Sequence, residues 1–382
     1  MTILFLIRSL DCGGAERQLT LLARRLSESR HHVSIAVMYS GGVREQDLAN
    51  SGVRLVDLKK RSQFDMVDVV VRLRRLIAEL KPDVVHGYLT AGNLAALVSK
   101  ISPGRSKVIW AVRDSNMDLK RYGTMTRCAS TVAGLLSRMT DGIIANSKAG
   151  MEFAVANGYP KDRTIHIANG IDVSKFYPDA QAGKQFRASI GLKGSQKLIG
   201  LVARMDPMKD HATFLTAAAS VAASRQDTHF VCVGSGSADY ERAMKERATS
   251  MGLDGRLQWL SSRSDMRGVY SGLDVFCLSS QFGEGFPNVL GEAMACGRNC
   301  VATNVGDAAY VAGSCAQIVP PRDPESLASA ILADLERSEN PEVRERIVQK
   351  FSVAQMVTQT EHALTRWAGL PSQHNHEAVV AN

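Results

Sequence analysis

Short β-branched and leucine-rich runs alternate with amphipathic segments along nearly the whole chain. "ILFLI" (3–7) is continuously apolar, as a strand covered on both faces must be. It leads through "GGAER" into "QLTLLARRLSES", where Leu19, Leu22, Ala23 and Leu26 fall on one helical face. "HVSIAVM", "VRLVDL", "DMVDVVVRLRRLIAEL", "DVVHGY", "AGNLAALVSKI", "KVIWAV" and "DGIIANS" keep the rhythm. "IANGIDVSKFYPDA" breaks it with Gly, Asp and Pro and reads as a linker. A second series follows, from "LIGLVAR" and "DHATFLTAAASVAAS" through "THFVCVGSG", "LQWLS", "MRGVYSGL" and "DVFCLSS" to "CVATNVG" and "AQIVPP". The pattern predicts an α/β protein with two Rossmann-like, doubly wound parallel-sheet domains, 1–175 and 176–350, facing a central cleft. A helix over 351–368 is expected to pack back towards the first domain, and 369–382 to form a loose tail.

The length of 382 residues fits two domains, and 45% hydrophobic with 22% charged residues supplies substantial cores. Seven scattered cysteines without a CxxC pair argue for reduced thiols and against a zinc or disulfide framework. The N-terminal apolar run has five residues, ends at Arg8 and follows no basic residue, so it reads as a first strand and not a secretory signal. No apolar run reaches the ~18 residues of a membrane span. A cytoplasmic protein is expected.

Charge sharpens this expectation. The net +8 is uneven: residues 1–175 carry 26 Lys+Arg against 16 Asp+Glu, and the remainder 20 against 22. "KKR" (59–61) and "RLRR" (72–75) concentrate it, although each cluster alone also reads as a solvated helix face. No nucleic-acid motif accompanies the bias, so nucleic acid is not expected as a partner. An anionic membrane surface or an anionic lipid-linked substrate fits better, giving peripheral contact with the inner face of the cell membrane. His374 and His376 in the tail read as having no role.

The densest chemistry lies in "GEGFPNVLGEAMACG" (283–297). A strand end, "CLSS", runs into a glycine-rich turn, and Pro287 suits the first position of the helix that ends before Gly297. The start of that helix favours an anion such as phosphate, and Gly283 and Gly285 let the backbone approach it. Carboxylates would be repelled by a diphosphate, so Glu284 and Glu292 are expected to grip hydroxyls of a sugar and a ribose. Upstream, Arg204 and Lys209 in "RMDPMK" can neutralise a pyrophosphate leaving group at a strand-to-helix turn. By themselves they also read as surface cations bridged to Asp206 or Asp210.

Taken together, "EGFPNVLGE", "GGAER", "ANS" (145–147), "NGIDVSKFYP", "VARMDPMKDH", "VGSGS", "DMRGVYSGLDVFCLSS" and "GEAMACG" followed by "VATNVGD" resemble the retaining glycosyltransferases of family 4, of polysaccharide-biosynthesis type, to about residue 367. That resemblance implies the GT-B fold and a hexosyl-type transferase acting on a nucleotide-sugar, with a UDP donor favoured over GDP. The implied acceptor is a saccharide or a polyprenyl-linked saccharide. It implies catalytic roles for Arg204, Lys209 and Glu284, with Arg204 and Lys209 on the donor diphosphate. Glu292 would hold the ribose and Glu284 the donor sugar. The backbone of Gly285, Phe286, Pro287, Asn288, Val289 and Leu290 would hold sugar and phosphate, and the loop Ser262–Asp265, with Arg263, would read the base. Gly13 and Gly14 would close over the phosphates, or simply form a tight turn. No cofactor and no metal are expected. Many relatives carry a histidine after the fourth strand of the first domain. Here "VIWAV" is followed by Arg113 and Asp114, either of which is a candidate for contact with sugar or acceptor, and His86 is either a ligand or a structural histidine.

The rival readings are weaker. A retaining glycosidase places its carboxyls on separate elements about 5–5.5 Å apart, and would have no use for Arg204 and Lys209. A nicotinamide oxidoreductase is suggested by "VGSGSADY", which has Asp239 where the third glycine of the fingerprint belongs. A sugar-nucleotide epimerase of the same fold, or a non-catalytic carbohydrate-binding protein, is the alternative.

Overall fold

The computed structural model describes residues 1–62, 65–102, 104–113, 131–338 and 340–371. Asp114, Cys128 and the tail histidines His374 and His376 lie outside the described residues. The chain divides into two compact units, Met1–Gly170 with Val353–Asn382, and Ile171–Ser352.

The first unit is built on β1 (Thr2–Ile7), β2 (His32–Val37), β3 (Arg54–Asp57), β4 (Val84–Tyr88), β5 (Lys107–Val112), β6 (Gly142–Ala145) and β7 (Thr164–His166). Their order is β3-β2-β1-β4-β5-β6-β7, with every pair parallel. Because side chains alternate across a strand, β1 feeds two cores. Ile3, Phe5 and Ile7 join Leu19, Leu22 and Leu26 of the helix Gly14–Glu28 on one face. Leu4 and Leu6 join Val69, Leu73 and Ile77 of the helix Met66–Leu80 on the other. This double burial explains the uninterrupted apolar run of the sequence. The strand "VIWAV" is the fifth in chain order and not the fourth, because the short β3 precedes it.

The helix Val353–Ala368 belongs to this unit and buries Val353, Met356, Val357, Ala363 and Leu364 against the β1 core. Beside it, Gln18 is 2% exposed and makes a reciprocal pair of hydrogen bonds with one backbone residue. Its Nε2 donates to Gly170 O at 2.9 Å, and Gly170 N donates to its Oε1 at 3.1 Å. Gly170 is the last residue before the chain leaves the unit, so one buried amide holds the chain where it departs.

The second unit contains β8 (Lys197–Val202), β9 (Thr228–Val233), β10 (Leu257–Leu260), β11 (Val275–Leu278), β12 (Asn299–Thr303) and β13 (Gln317–Val319). All are parallel, in the order β10-β9-β8-β11-β12-β13. The alanine-rich helix His211–Ser224 is apolar on most sides and packs Phe214, Leu215, Ala218 and Val221 against this sheet. Strand order reverses between β8 and β11. In open α/β sheets the loops that diverge from such a reversal leave a crevice at the carboxyl ends of the strands. Here those loops carry residues 203–210 and 279–287.

Gln18→Ala removes the amide from both Gly170 groups, leaving Gly170 O without its side-chain donor and Gly170 N with only Met356 Sδ, at 3.2 Å. Unfolding should then require about 1–3 kcal/mol less, seen as a lower urea midpoint for the transition of the first unit. An unchanged midpoint would assign the pair no structural weight.

Candidate active site

The loop after β8 turns through a short 3₁₀ segment, Pro207–Lys209, capped by Asp206, whose side chain accepts from Met208 N at 2.9 Å. Asp210 then caps the helix His211–Ser224 by accepting from Thr213 N and Oγ1. Two caps in succession leave little freedom in "RMDPMKDH". The loop after β11 is bonded to it along its length. Gln281 N donates to Met208 O at 2.9 Å, Ser279 Oγ to Lys209 O at 2.8 Å, and Gln281 Nε2 to Pro207 O. Gly283 has φ +73°, a conformation that favours glycine, and the Met208 thioether packs into the space a Cβ would take.

Between the two loops lies an ion pair. Lys209 Nζ donates to Glu284 Oε1 at 2.5 Å, with the side chains 15% and 8% exposed. Ser280 Oγ donates to the same oxygen at 2.5 Å. Lys209 and Glu284 are 75 positions apart in sequence. Each neutralises the other, so the acid is not left as an unpaired charge beside the start of the next helix.

Arg204 differs. Its side chain is 66% exposed and pairs with Asp206 at 3.2 Å. An exposed pair of this kind is worth little and exchanges partners at small cost. The segment bearing Arg204 lies alongside "VGSGS". Met205 N donates to Ser235 O at 3.0 Å, and a Cβ on Gly234 would lie 1.9 Å from Ala203 O. The glycines therefore allow two loop backbones to touch, which accounts for them without a dinucleotide.

Pro287 occupies the N-cap of the helix Asn288–Ala295, one position earlier than the sequence suggested. Its carbonyl accepts from Leu290 N and Gly291 N. The first amides of a helix have no carbonyl partner within it, and their dipoles give that end positive character. Phe286 and Leu290 are buried. Gly285 O accepts from Asp307 N at 3.0 Å, which fixes the turn from below. Glu292 is 2% exposed and accepts from Tyr270 Oη at 2.8 Å. The two glutamates are thus held by different donors. Arg263 lies in an exposed loop, 5.7 Å from the centroid of the Phe186 ring.

In the first unit, Gly13 caps the helix Gly14–Glu28 in extended backbone. The carboxylate of Glu16 folds so close that a Cβ on Gly13 would sit 1.8 Å from its Oε2. His86 is completely buried among the rings of Phe5 and Tyr88. Burial, followed by the nearby Arg113, holds its pKa well below the usual histidine value. His86 thus has no exposed surface and packs within the core of the first unit. Arg113 Nη2 donates to Tyr88 Oη at 2.6 Å and Nη1 to Asn169 Oδ1 at 3.1 Å, with the guanidinium over the Tyr88 ring. It ties the end of β5 to the segment after β7. A separate concavity of about 250 Å³ between β7 and the helix Val353–Ala368 is lined by His166, His362, Arg366 and Trp367, none of them residues singled out by the sequence.

Sequence reasoning missed Ser280, Met208 and Tyr270. Ser280 stands one helical turn's worth of chain before Glu284, and Tyr270 lies inside the motif "DMRGVYSGLDVF", but neither spacing says which acid a hydroxyl will meet.

Two family models match the chain: glycosyl transferases group 1 over residues 196–337, and the glycosyl transferase 4-like domain over 13–170. The chain is 25% identical over 239 residues to the UDP-Gal:alpha-D-GlcNAc-diphosphoundecaprenol alpha-1,3-galactosyltransferase of Escherichia coli, covering 62% of this chain and 61% of that protein. It is 25% identical over 304 residues, 77% of each chain, to a Campylobacter jejuni enzyme. That enzyme is the GalNAc-alpha-(1->4)-GalNAc-alpha-(1->3)-diNAcBac-PP-undecaprenol alpha-1,4-N-acetyl-D-galactosaminyltransferase. Among solved structures, HepE of Anabaena in complex with UDP superposes with a TM-score of 0.84 and 22% identity, over 96% of this chain and all of that one.

His211 adjoins Lys209 and is 1% exposed, edge-on to Tyr240. Burial lowers its pKa to about 4, against a smaller upward pull from Asp210. Between an unfolded value of about 6.5 and this folded value, the unfolded chain binds a proton that the native one does not. Stability should therefore fall as pH drops through this window, by about 3 kcal/mol from this group, and no further below it. Denaturant unfolding at pH 7.5 and pH 4 should show a smaller loss in His211→Gln than in the parent. Equal losses would contradict the assignment.

Proposed function

The chain belongs to the group 1 glycosyl transferases and has the GT-B fold, and on that premise we propose that it moves a sugar from UDP to a polyprenyl-linked saccharide with retention of configuration. The reading is carried by the Lys209–Glu284 pair where the strand order reverses between β8 and β11. An ammonium has three donors. One is spent on Glu284, which orients the others, and the exposed Arg204 can leave Asp206 for a phosphate. Together with the helix start after Pro287, these groups bind a diphosphate and stabilise the charge that grows on it as the sugar departs. Glu284 then faces the sugar hydroxyls, with its charge offset by Lys209, and Glu292 faces the ribose.

In the proposed step the bond from the anomeric carbon to the β-phosphate oxygen breaks while the acceptor oxygen attacks from the same face. The acceptor proton passes to the departing phosphate. The protein cations supply the charge stabilisation, so no divalent ion is required. A UDP donor and a lipid-linked acceptor are supported by the E. coli relative, whose name includes both, and by the undecaprenol-linked substrate in the name of the Campylobacter relative.

A membrane-borne acceptor also fits one surface of the first unit. On the helix Met66–Leu80, Val67 and Val71 are 75% and 41% exposed, and Arg74 and Arg75 follow on the same face. Met66 is exposed beside them, and Lys59 and Arg61 lie just upstream. Apolar side chains flanked by arginines suit the interface of an anionic bilayer. Among the described residues, no helix is long and apolar enough to cross a membrane.

With UDP-sugars and a short polyprenyl-linked acceptor, turnover should release UDP, give a product of the donor's anomeric configuration and persist in excess chelator. Arg204→Ala and Lys209→Ala should each lower kcat by at least ~10-fold. A near-normal rate in either variant would reject its role, and inversion or loss of activity in chelator would reject the mechanism.

Vesicles containing phosphatidylglycerol should co-sediment the protein at low salt and release it as salt rises. Arg74→Glu with Arg75→Glu should abolish the effect. Failure to sediment at low salt would remove the membrane from the proposal.

A further inference from the structure

Glu292 is the more deeply buried of the two glutamates, and a carboxylate in such surroundings adopts whatever orientation its donors impose. The hydroxyl that meets it comes from Tyr270, in the helix Met266–Gly272, 22 positions earlier in the chain. Tyr270 has no exposed surface. Its ring is locked edge-on between Phe176, at 6.0 Å, and Phe276 of β11, at 5.9 Å. The helix itself is capped by Asp265, which accepts from Gly268 N. A phenol held on two aromatic walls can point its O–H in very few directions, and this one points at Glu292 Oε2 from 2.8 Å.

We propose that Tyr270 is a positioning residue for nucleotide recognition, fixing the rotation of the Glu292 carboxylate so that it accepts from the ribose hydroxyls of the donor. This rests on the donor-binding reading above and adds to it a residue that touches no substrate. The consequence is selectivity. A freely rotating carboxylate finds a partner on either a ribose or a deoxyribose, whereas a carboxylate held in one plane is matched to the full set of hydroxyls. A purely structural Tyr270 would change stability but would not change the ratio of affinities for the two nucleotides.

The test needs neither the sugar nor the acceptor. Binding of UDP and of 2′-deoxy-UDP is measured by calorimetry for the parent protein and for Tyr270→Phe, which keeps the ring and removes the donor. The parent should prefer UDP. In Tyr270→Phe the dissociation constant for UDP should rise by about 5- to 30-fold, and the preference over 2′-deoxy-UDP should fall to less than half. An unchanged preference in a folded Tyr270→Phe variant overturns the proposal while leaving the donor site intact. If the parent binds neither UDP nor GDP, the donor-binding reading itself fails, and this proposal with it. Should Tyr270→Phe not fold, a crystal structure of the parent with UDP decides. A ribose hydroxyl within 3.2 Å (the ordinary hydrogen-bond limit) of Glu292 with Tyr270 still donating supports the proposal, and a Glu292 that binds ribose after leaving Tyr270 overturns it.

Discussion

One largely buried ion pair joins the two loops where the strand order of the second unit reverses. Lys209 and Glu284 come from loops that leave adjacent parallel strands, and neither charge would be tolerated at its depth without the other. The pair lets an acid stand near the positive end of a helix without an unpaired charge. It also joins the loop after β8 to the loop after β11, which Gln281, Ser279 and the Gly283–Met208 contact reinforce.

From that joint the chemistry divides by exposure. Lys209, Glu284 and Glu292 are held by neighbours and are already oriented before any substrate arrives, which is how electrostatic stabilisation avoids reorganisation during reaction. Arg204 is open to solvent and paired with a neighbour two residues away, so it can follow a ligand. One cation is fixed and the other adaptable, the combination on which the proposed stabilisation of a departing diphosphate rests.

In the first unit, residue type alone does not say what a polar side chain meets. His86 lies in the middle of β4 and Arg113 directly after β5, and the type of each side chain suggests ligand contact. His86 instead fills a gap between Phe5 and Tyr88, and Arg113 is spent on Tyr88 and Asn169. Burial and partners are both properties of neighbours remote in the chain. Glu16, which folds under Gly13 at the start of its helix, is a further contact that the "GGAER" motif does not disclose.

What the sequence by itself determined is everything set by local pattern: strands covered on both faces, helices with one apolar stripe, the turns, and the order of motifs that identifies the family. Periodicity is short-range, so it survives without coordinates, although a boundary such as the cap at Pro287 shifts by one position. Only the tertiary structure decided which donors hold which acids. Lys209 meets Glu284 across 75 residues and Tyr270 meets Glu292 across 22. Such pairings follow from strand order and packing direction, and a parallel sheet brings together loops that the chain itself keeps far apart.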